Sequence, residues 1–344
     1  MSTYNRHNNI IKYWLFSLCA LIIFIIIIGG YTRLTGSGLS ITEWRPVTGV
    51  ILPMSDDVWI KEFDKYKQSP EFKHINFMID LLEFKKIYIT EYFHRILGRV
   101  LFLLYSLPLL YFLIKRYIST KELPCYTFAL ILILAQGVAG WYMVKSGLIN
   151  DPHVSHFRLA LHLLLAVLLY TILLWQFFKC SGEIILIPAR ANTSIIKVIA
   201  VISILILFLQ IIVGAFVAGL KAGLIYNQFP LMGESVIPDE VWQNGASLYD
   251  PVFIQFIHRL GAYIVTISVV LLLIKGYELR VTKLNHALFM LFCALVIQFA
   301  LGVLTLIYLV PISLAIIHQV GAVILLSTIL RVYFLLICTQ TELI

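Results

Sequence analysis

A chain of 344 residues that is 60% hydrophobic and only 13% charged, with mean hydropathy +0.93, carries more apolar surface than a water-soluble core of that length can bury. An ordinary soluble domain is excluded. Its net charge of +8, from 26 Lys+Arg against 18 Asp+Glu, would suit a nucleic-acid partner if it formed one patch, but the basic residues flank apolar runs, so no nucleic acid is expected.

Apolar runs of about 20 residues, enough to cross a roughly 30 Å hydrocarbon core, lie near 11–31, 93–114, 123–144, 157–178, 195–219, 253–274, 285–308 and 313–338. They predict an all-α membrane protein of eight transmembrane helices. The first run has a basic flank but no small-residue cleavage site, because Tyr31-Thr32-Arg33 follows, so it reads as a retained helix. A long outer loop over 32–92 comes next; its Trp44, Trp59, Phe63 and Tyr66 read as interfacial aromatics, with a lid over a site left open. The second run opens as Phe93-His94-Arg95-Ile96-Leu97-Gly98, the third carries Gln136 and Gly140, and the fourth carries His162 near its start. After the fifth, the 220–252 loop is acidic through Glu234, Asp239, Glu240 and Asp250. The sixth opens as Ile257-His258-Arg259-Leu260-Gly261, the seventh carries Gln298 and Gly302, and the eighth carries His318.

Arg6, Lys12, Lys115, Arg116, Lys121, Lys179, Arg190, Lys197, Lys275, Arg280 and Lys283 occupy the N-terminus and the connections after the second, fourth and sixth runs. The alternate short loops carry little beyond Lys145, Arg158 and Lys221. The positive-inside rule then puts both termini in the cytoplasm or its mitochondrial equivalent; the loop of about 60 residues is too long to weigh in that rule. The cysteines, Cys19, Cys125, Cys180, Cys293 and Cys338, lie in runs or near their inner ends, where disulfide pairing is not expected.

The motifs recur in order, and Gly38-Leu39 with Pro46-Val47-Thr48-Gly49 matches Gly223-Leu224 with Pro230-Leu231-Met232-Gly233 in the corresponding outer segments. This is the pattern of a duplication. Its halves are 1–180 and 181–344, each with an even number of runs and therefore sharing one orientation, which predicts two fused, parallel-repeat four-helix bundles. Gln136, Gln298 and the small residues near them read as interhelical contacts.

Ionisable residues are costly in hydrocarbon and usually face a bundle interior. His94, His162, His258 and His318 share one depth, within roughly two turns of the outer end of an even-numbered run. Two facing imidazoles per half suit the axial positions of haem, whereas zinc takes three or four protein ligands. His153 and His156 read as loop or interfacial residues, and His7, His74 and His286 as solvent or interface residues. Arg95 and Arg259 follow a proposed ligand directly; snorkelling and pairing with haem propionates both remain open for them, with Arg33, Arg99 and Arg158 as weaker propionate candidates. Glu91 stands one turn before His94, where the other half has Gln255. A dipole partner and a general base or charge stabiliser are both open for Glu91.

Gly29-Gly30-Tyr31-Thr32-Arg33-Leu34-Thr35, Ser37-Gly38-Leu39-Ser40, Glu43-Trp44-Arg45-Pro46-Val47-Thr48-Gly49, Ser69-Pro70-Glu71-Phe72, Glu91-Tyr92-Phe93-His94-Arg95, Arg158-Leu159-Ala160-Leu161-His162, Ile257-His258-Arg259 and His318-Gln319 run through nearly the whole chain in order. Together they resemble the heme A synthases, in the mitochondrial and proteobacterial branch without an outer-loop cysteine pair. The resemblance implies an oxidoreductase that converts the methyl group of heme O to the formyl group of heme A, by successive hydroxylations and loss of water from a geminal diol. It implies His94 and His162 on the substrate haem iron, His258 and His318 on a heme b iron, and Glu91 as the catalytic group. It further implies a bacterial inner membrane with the haem sites toward the outer side, membrane lipid as surroundings, and heme O synthase and cytochrome oxidase assembly factors as partners; homo-oligomerisation stays open. The alternatives are an electron-transfer b-type cytochrome and a haem carrier without chemistry. Symmetric halves would suit the first and a midplane site between repeats the second.

Overall fold

The computed structural model describes residues 3–45, 48–149, 152–187, 193–243 and 245–341. Pro46, Val47 and Arg190 lie outside the described residues, as do the side chains of Arg6 and His7. Helices α1 (Thr3–Leu34), α2 (Asp56–Tyr66), α3 (Pro70–His74), α4 (Leu81–Ile114), α5 (Leu123–Gly147) and α6 (His156–Cys180) are followed by strand β1 (Ile185–Ile187). Then come α7 (Ser194–Gly219), α8 (Glu240–Gln243), α9 (Pro251–Tyr277), α10 (Thr282–Ile307), α11 (Ile312–Ile337) and β2 (Thr339–Thr341). Eight helices, α1 from Asn8, α4 to α7 and α9 to α11, are long and apolar enough to span a bilayer. The chain is an all-α, multi-pass integral membrane protein.

The ends of the spans follow from local chemistry. Asp80 caps α4 by accepting from the Glu83 amide at 2.8 Å, and Asp250 caps α9 by accepting from the Val252 amide at 2.8 Å, with Pro251 at the first helical position. The apolar run predicts a start for α4 near 93, yet the helix begins at Leu81. About three further turns persist because Phe84, Tyr88 and Glu91 on them are buried by the outer segment.

Two compact units divide the chain, Ala20–Leu169 and Met1–Cys19 with Tyr170–Ile344. In the second, α7 packs on α9 and α11, and α10 packs on the same two helices, closing a four-helix ring. Val269, Leu272, Leu288, Leu291, Leu326 and Ile329 are fully buried in it. Outside the ring, β1 pairs in parallel with β2, and Glu183 ion-pairs with Lys283 at 2.8 Å and with Arg331.

In the first unit α4 packs on α5, and the buried Tyr105 hydroxyl donates to the Tyr126 carbonyl at 2.7 Å. Contrary to their interfacial reading, Trp59, Phe63 and Tyr66 form a small interior with Phe84 and Tyr88. Trp59, Phe63 and Tyr66 fall on one face of α2 at helical spacing, and that face closes on α4. Phe63 stacks on Phe84 at 4.9 Å and Trp59 meets Tyr88 edge-on at 5.1 Å. Trp44 alone of the four aromatics is half exposed, beside Trp141 at 5.3 Å. Truncation of the fully buried Phe84 to Ala should cost the outer segment about 3–5 kcal/mol. Limited proteolysis of residues 48–80 in proteoliposomes checks this: faster cleavage there is expected, with the spans still protected.

Candidate functional site

Each of the four histidines meets a glycine on the neighbouring helix. A Cβ built on Gly29 would lie 2.9 Å from Cε1 of His94, and one on Gly140 3.2 Å from Cε1 of His162. The same construction gives 3.1 Å from Gly214 to His258 and 2.9 Å from Gly302 to His318. A side chain at Gly29 or Gly302 would therefore displace the imidazole, and one at Gly140 or Gly214 would crowd it. The contacts pair α1 with α4, α5 with α6, α7 with α9 and α10 with α11, each time a glycine in the last two turns of one helix against a histidine on the next long helix.

His94 and His162 lie within electrostatic reach of each other, as do His258 and His318. Every ring is half-buried, while Nδ1 of His94 and of His162 is fully buried without a hydrogen-bond partner. In each contact the glycine faces the Cε1 corner of the ring, with Nδ1 and Nε2 about equally far from it. Among the described residues no three His, Cys, Asp or Glu side chains gather to hold a metal ion. Two imidazoles per unit in a cradle of glycine fit the axial positions of haem better than a tetrahedral ion.

Glutamines hold the histidine helices. Gln136 donates to the carbonyl of His162 at 2.9 Å, Gln210 to that of His258 at 2.8 Å, and Gln298 to that of His318 at 3.1 Å. The amide nitrogens of Gln210 and Gln298 also lie 3.1 and 3.2 Å from Nδ1 of those histidines. Gln136 and Gln298 are the expected interhelical contacts. Gln210 is visible in sequence only through its spacing to Gly214, the Gln-x3-Gly of Gln136-Gly140 and Gln298-Gly302.

The outer segments are tied down by the residues around His94 and His258. Glu91 is buried at 3% exposure and accepts from Ser40 Oγ at 2.7 Å and from the Ile41 amide at 2.9 Å. Arg95 donates to its other oxygen from Nε at 3.1 Å and Nη2 at 2.6 Å, and reaches the carbonyls of Ile41 and Glu43. In the other unit Gln255, equally buried, donates to the Tyr226 carbonyl at 2.9 Å. Arg259 donates to the carbonyls of Tyr226, Gln228 and Leu231. The exchange of carboxylate for amide thus matches a reversal of loop polarity, from a donating N–H at Ile41 to an accepting C=O at Tyr226.

The remaining arginines also bond to backbone. Arg99 donates to the Arg45 carbonyl at 2.9 Å, and Arg158 donates to the Tyr142 carbonyl at 2.8 Å while lying over that ring. Arg33 sits half-buried at the end of α1. Arg45, Arg95 and Arg99, with Glu43 and Glu62, line an open cleft beside Tyr88 and Tyr92. His156, expected at the interface, is buried at the start of α6.

A second buried carboxylate belongs to the outer segment. Glu71 accepts from the Tyr66 hydroxyl at 2.9 Å, and that hydroxyl accepts from Asn76 at 2.8 Å. Burial pushes the Glu71 carboxyl up to about 7, against the Tyr66 bond and helped by the charge of Glu91.

Eight spans among the described residues, with two histidines in each unit set against glycines of neighbouring helices, define a polytopic helical membrane protein. The chain matches the family of cytochrome oxidase assembly proteins, COX15-CtaA, over residues 12–330, and it belongs to that family. It is 50% identical over 332 residues to proteins named heme A synthase from Rickettsia felis and Rickettsia akari, covering 96% of this chain and 98% of each relative. The Rickettsia bellii protein of that name is 49% identical over 326 residues, 94% of this chain and 97% of the relative.

The raised value of Glu71 has a direct consequence. Its folded value exceeds the ordinary 4.5, so the stability it confers is complete below that pH and is lost as pH rises through about 7. Hydrogen exchange of the outer segment should therefore quicken between pH 5 and pH 8 beyond the intrinsic pH effect, and Glu71→Gln should flatten that excess.

Proposed function

We propose that the chain is an oxidoreductase that converts heme O to heme A for cytochrome oxidase assembly. Half-identity to three proteins of that name over almost the full length supports the activity. His94 and His162 hold the reacting haem, and His258 and His318 hold a resident heme b, in a duplicated chain of halves 1–180 and 181–344. The observation that carries this division is the carboxylate of Glu91 at the position where the other histidine pair has the amide of Gln255. The basic connections support cytoplasmic termini in a bacterial inner membrane, with the histidine ends of the helices on the outer side.

Bound iron would supply the oxidising centre for an unactivated methyl C–H bond. What the chain adds is position and charge. Glu91 receives four donated hydrogen bonds, from Ser40, Ile41 and twice from Arg95, which fills the roughly four lone-pair directions of a carboxylate. A group so held is fixed in position, one turn from His94, where its charge could stabilise positive charge developing at the oxidised carbon. Arg95 has Nε and Nη2 on Glu91, whereas Arg259 keeps a buried Nε with no hydrogen-bond partner. That favours Arg259 over Arg95 as a propionate donor.

Mass spectrometry of haems extracted from the purified protein tests the reading. Glu91→Gln should keep heme b at wild-type content and lower heme A by about 100-fold or more, while His258→Ala should lose heme b. Normal heme A from the Glu91 variant would remove the catalytic assignment. Heme b as the only haem in every sample, wild type included, would favour the electron-transfer cytochrome.

A further inference from the structure

The four glycine–histidine contacts are alike, but the bonds around them are graded. His258 and His318 have the full set: a glutamine amide on the ligand's own carbonyl, the same amide beside Nδ1, and a glycine three residues on, Gly261 or Gly321, that makes room for it. A Cβ at Gly261 would collide with the Gln210 amide oxygen, and one at Gly321 with that of Gln298. His162 keeps only the bond from Gln136 to its carbonyl, and its third residue on is Leu165. His94 has none of these. Four residues before Gly29 stands Ile25, and three residues after His94 stands Leu97. Gly98, which resembles Gly261 in sequence, would meet nothing within 4 Å if given a Cβ.

We infer that these glutamine clips set how firmly each imidazole is held, and that His94, the unclipped one, is the ligand that swings aside when haem enters and leaves the first pair. An amide nitrogen that donates to the ligand's own carbonyl and packs 3.1–3.2 Å from Nδ1 restricts the helix turn by a bond and the ring plane by contact. Ile25 offers neither. The gradient runs from two full clips in one pair to one partial clip in the other, so one haem is retained while the other is exchangeable. The inference rests on the haem assignment proposed above, but its gradient is independent of Glu91.

Haem loss from the detergent-purified full chain to excess apomyoglobin reads this directly, with mass spectrometry naming the haem that remains and electron paramagnetic resonance reporting bis-imidazole low-spin iron. Wild type should lose haem in two phases, heme O or heme A fast and heme b slowly. Gln298→Leu and Gln210→Leu should each speed the slow phase roughly tenfold and perturb its low-spin signal, leaving the fast phase as it was. Ile25→Gln should slow the fast phase. Both haems leaving at one rate in wild type, or unaltered slow loss with an unaltered signal in both Leu variants, would overturn the inference even if the Ile25 variant does not accumulate. A chain that binds no haem at all would overturn the functional reading instead.

Discussion

Backbone approach at four glycines is the constraint around which the site is built. A helix cannot bring its axis to within van der Waals contact of an imidazole on its neighbour unless the facing residue lacks a side chain, and Gly29, Gly140, Gly214 and Gly302 meet that condition. The contact fixes two things together. It draws the two helices of each pair close, and it sets where the Cε1 corner of the imidazole lies against its neighbour. In hydrocarbon, dispersion and complementary shape hold helices together where burial of apolar surface gives little net drive. The same contact therefore serves assembly and ligand orientation.

The outer anchors build on this arrangement and differ between the two histidine pairs. A buried side chain one turn before each histidine binds the incoming outer segment, aided by the arginine that follows the histidine. Where the segment offers the Ile41 amide and Ser40 hydroxyl, the partner is a carboxylate; where it offers the Tyr226 carbonyl, the partner is an amide. Glu91 is thus both a structural anchor and a fixed charge, and loss of either duty would follow from its truncation. An isosteric amide separates the two only partly, because its NH2 cannot accept from Ile41 or Ser40. Heme b content, which the anchor role does not govern, is the internal control that makes the comparison interpretable.

Much of this is legible in the sequence, and for a stated reason. Span number follows from apolar length, and the histidines stand out because ionisable residues are rare in hydrocarbon. The extended start of α4 is not legible from the apolar run, because Leu81 to Tyr92 is held helical by contacts from α2, distant in sequence. Trp59, Phe63 and Tyr66 look interfacial for a similar reason: amphipathic spacing reveals an apolar face but not what covers it. The arginine contacts are hidden too, since Arg95, Arg99, Arg158 and Arg259 bond to backbone carbonyls, which carry no residue identity. The glutamines are intermediate. Their spacing to glycine is visible at all three sites, yet its meaning emerges only when the facing histidine is known.

An enzyme whose substrate is a haem faces a constraint that a haem protein does not. On the reading proposed above, the same kind of ligation that retains a cofactor must also release a product, so the two histidine pairs cannot hold equally tightly. Each 1.4 kcal/mol of difference is tenfold in affinity, and a net hydrogen bond contributes about 1 kcal/mol. Two glutamines clip the second pair and one, by its carbonyl bond alone, clips the first. The carbonyl bonds differ by one, about 1 kcal/mol and so several-fold in affinity, and the amides packed beside Nδ1 of His258 and His318 add a restraint on those rings that the first pair lacks. On the reading proposed above, loosening one ligand and not both would let His94 move while His162 still positioned the haem.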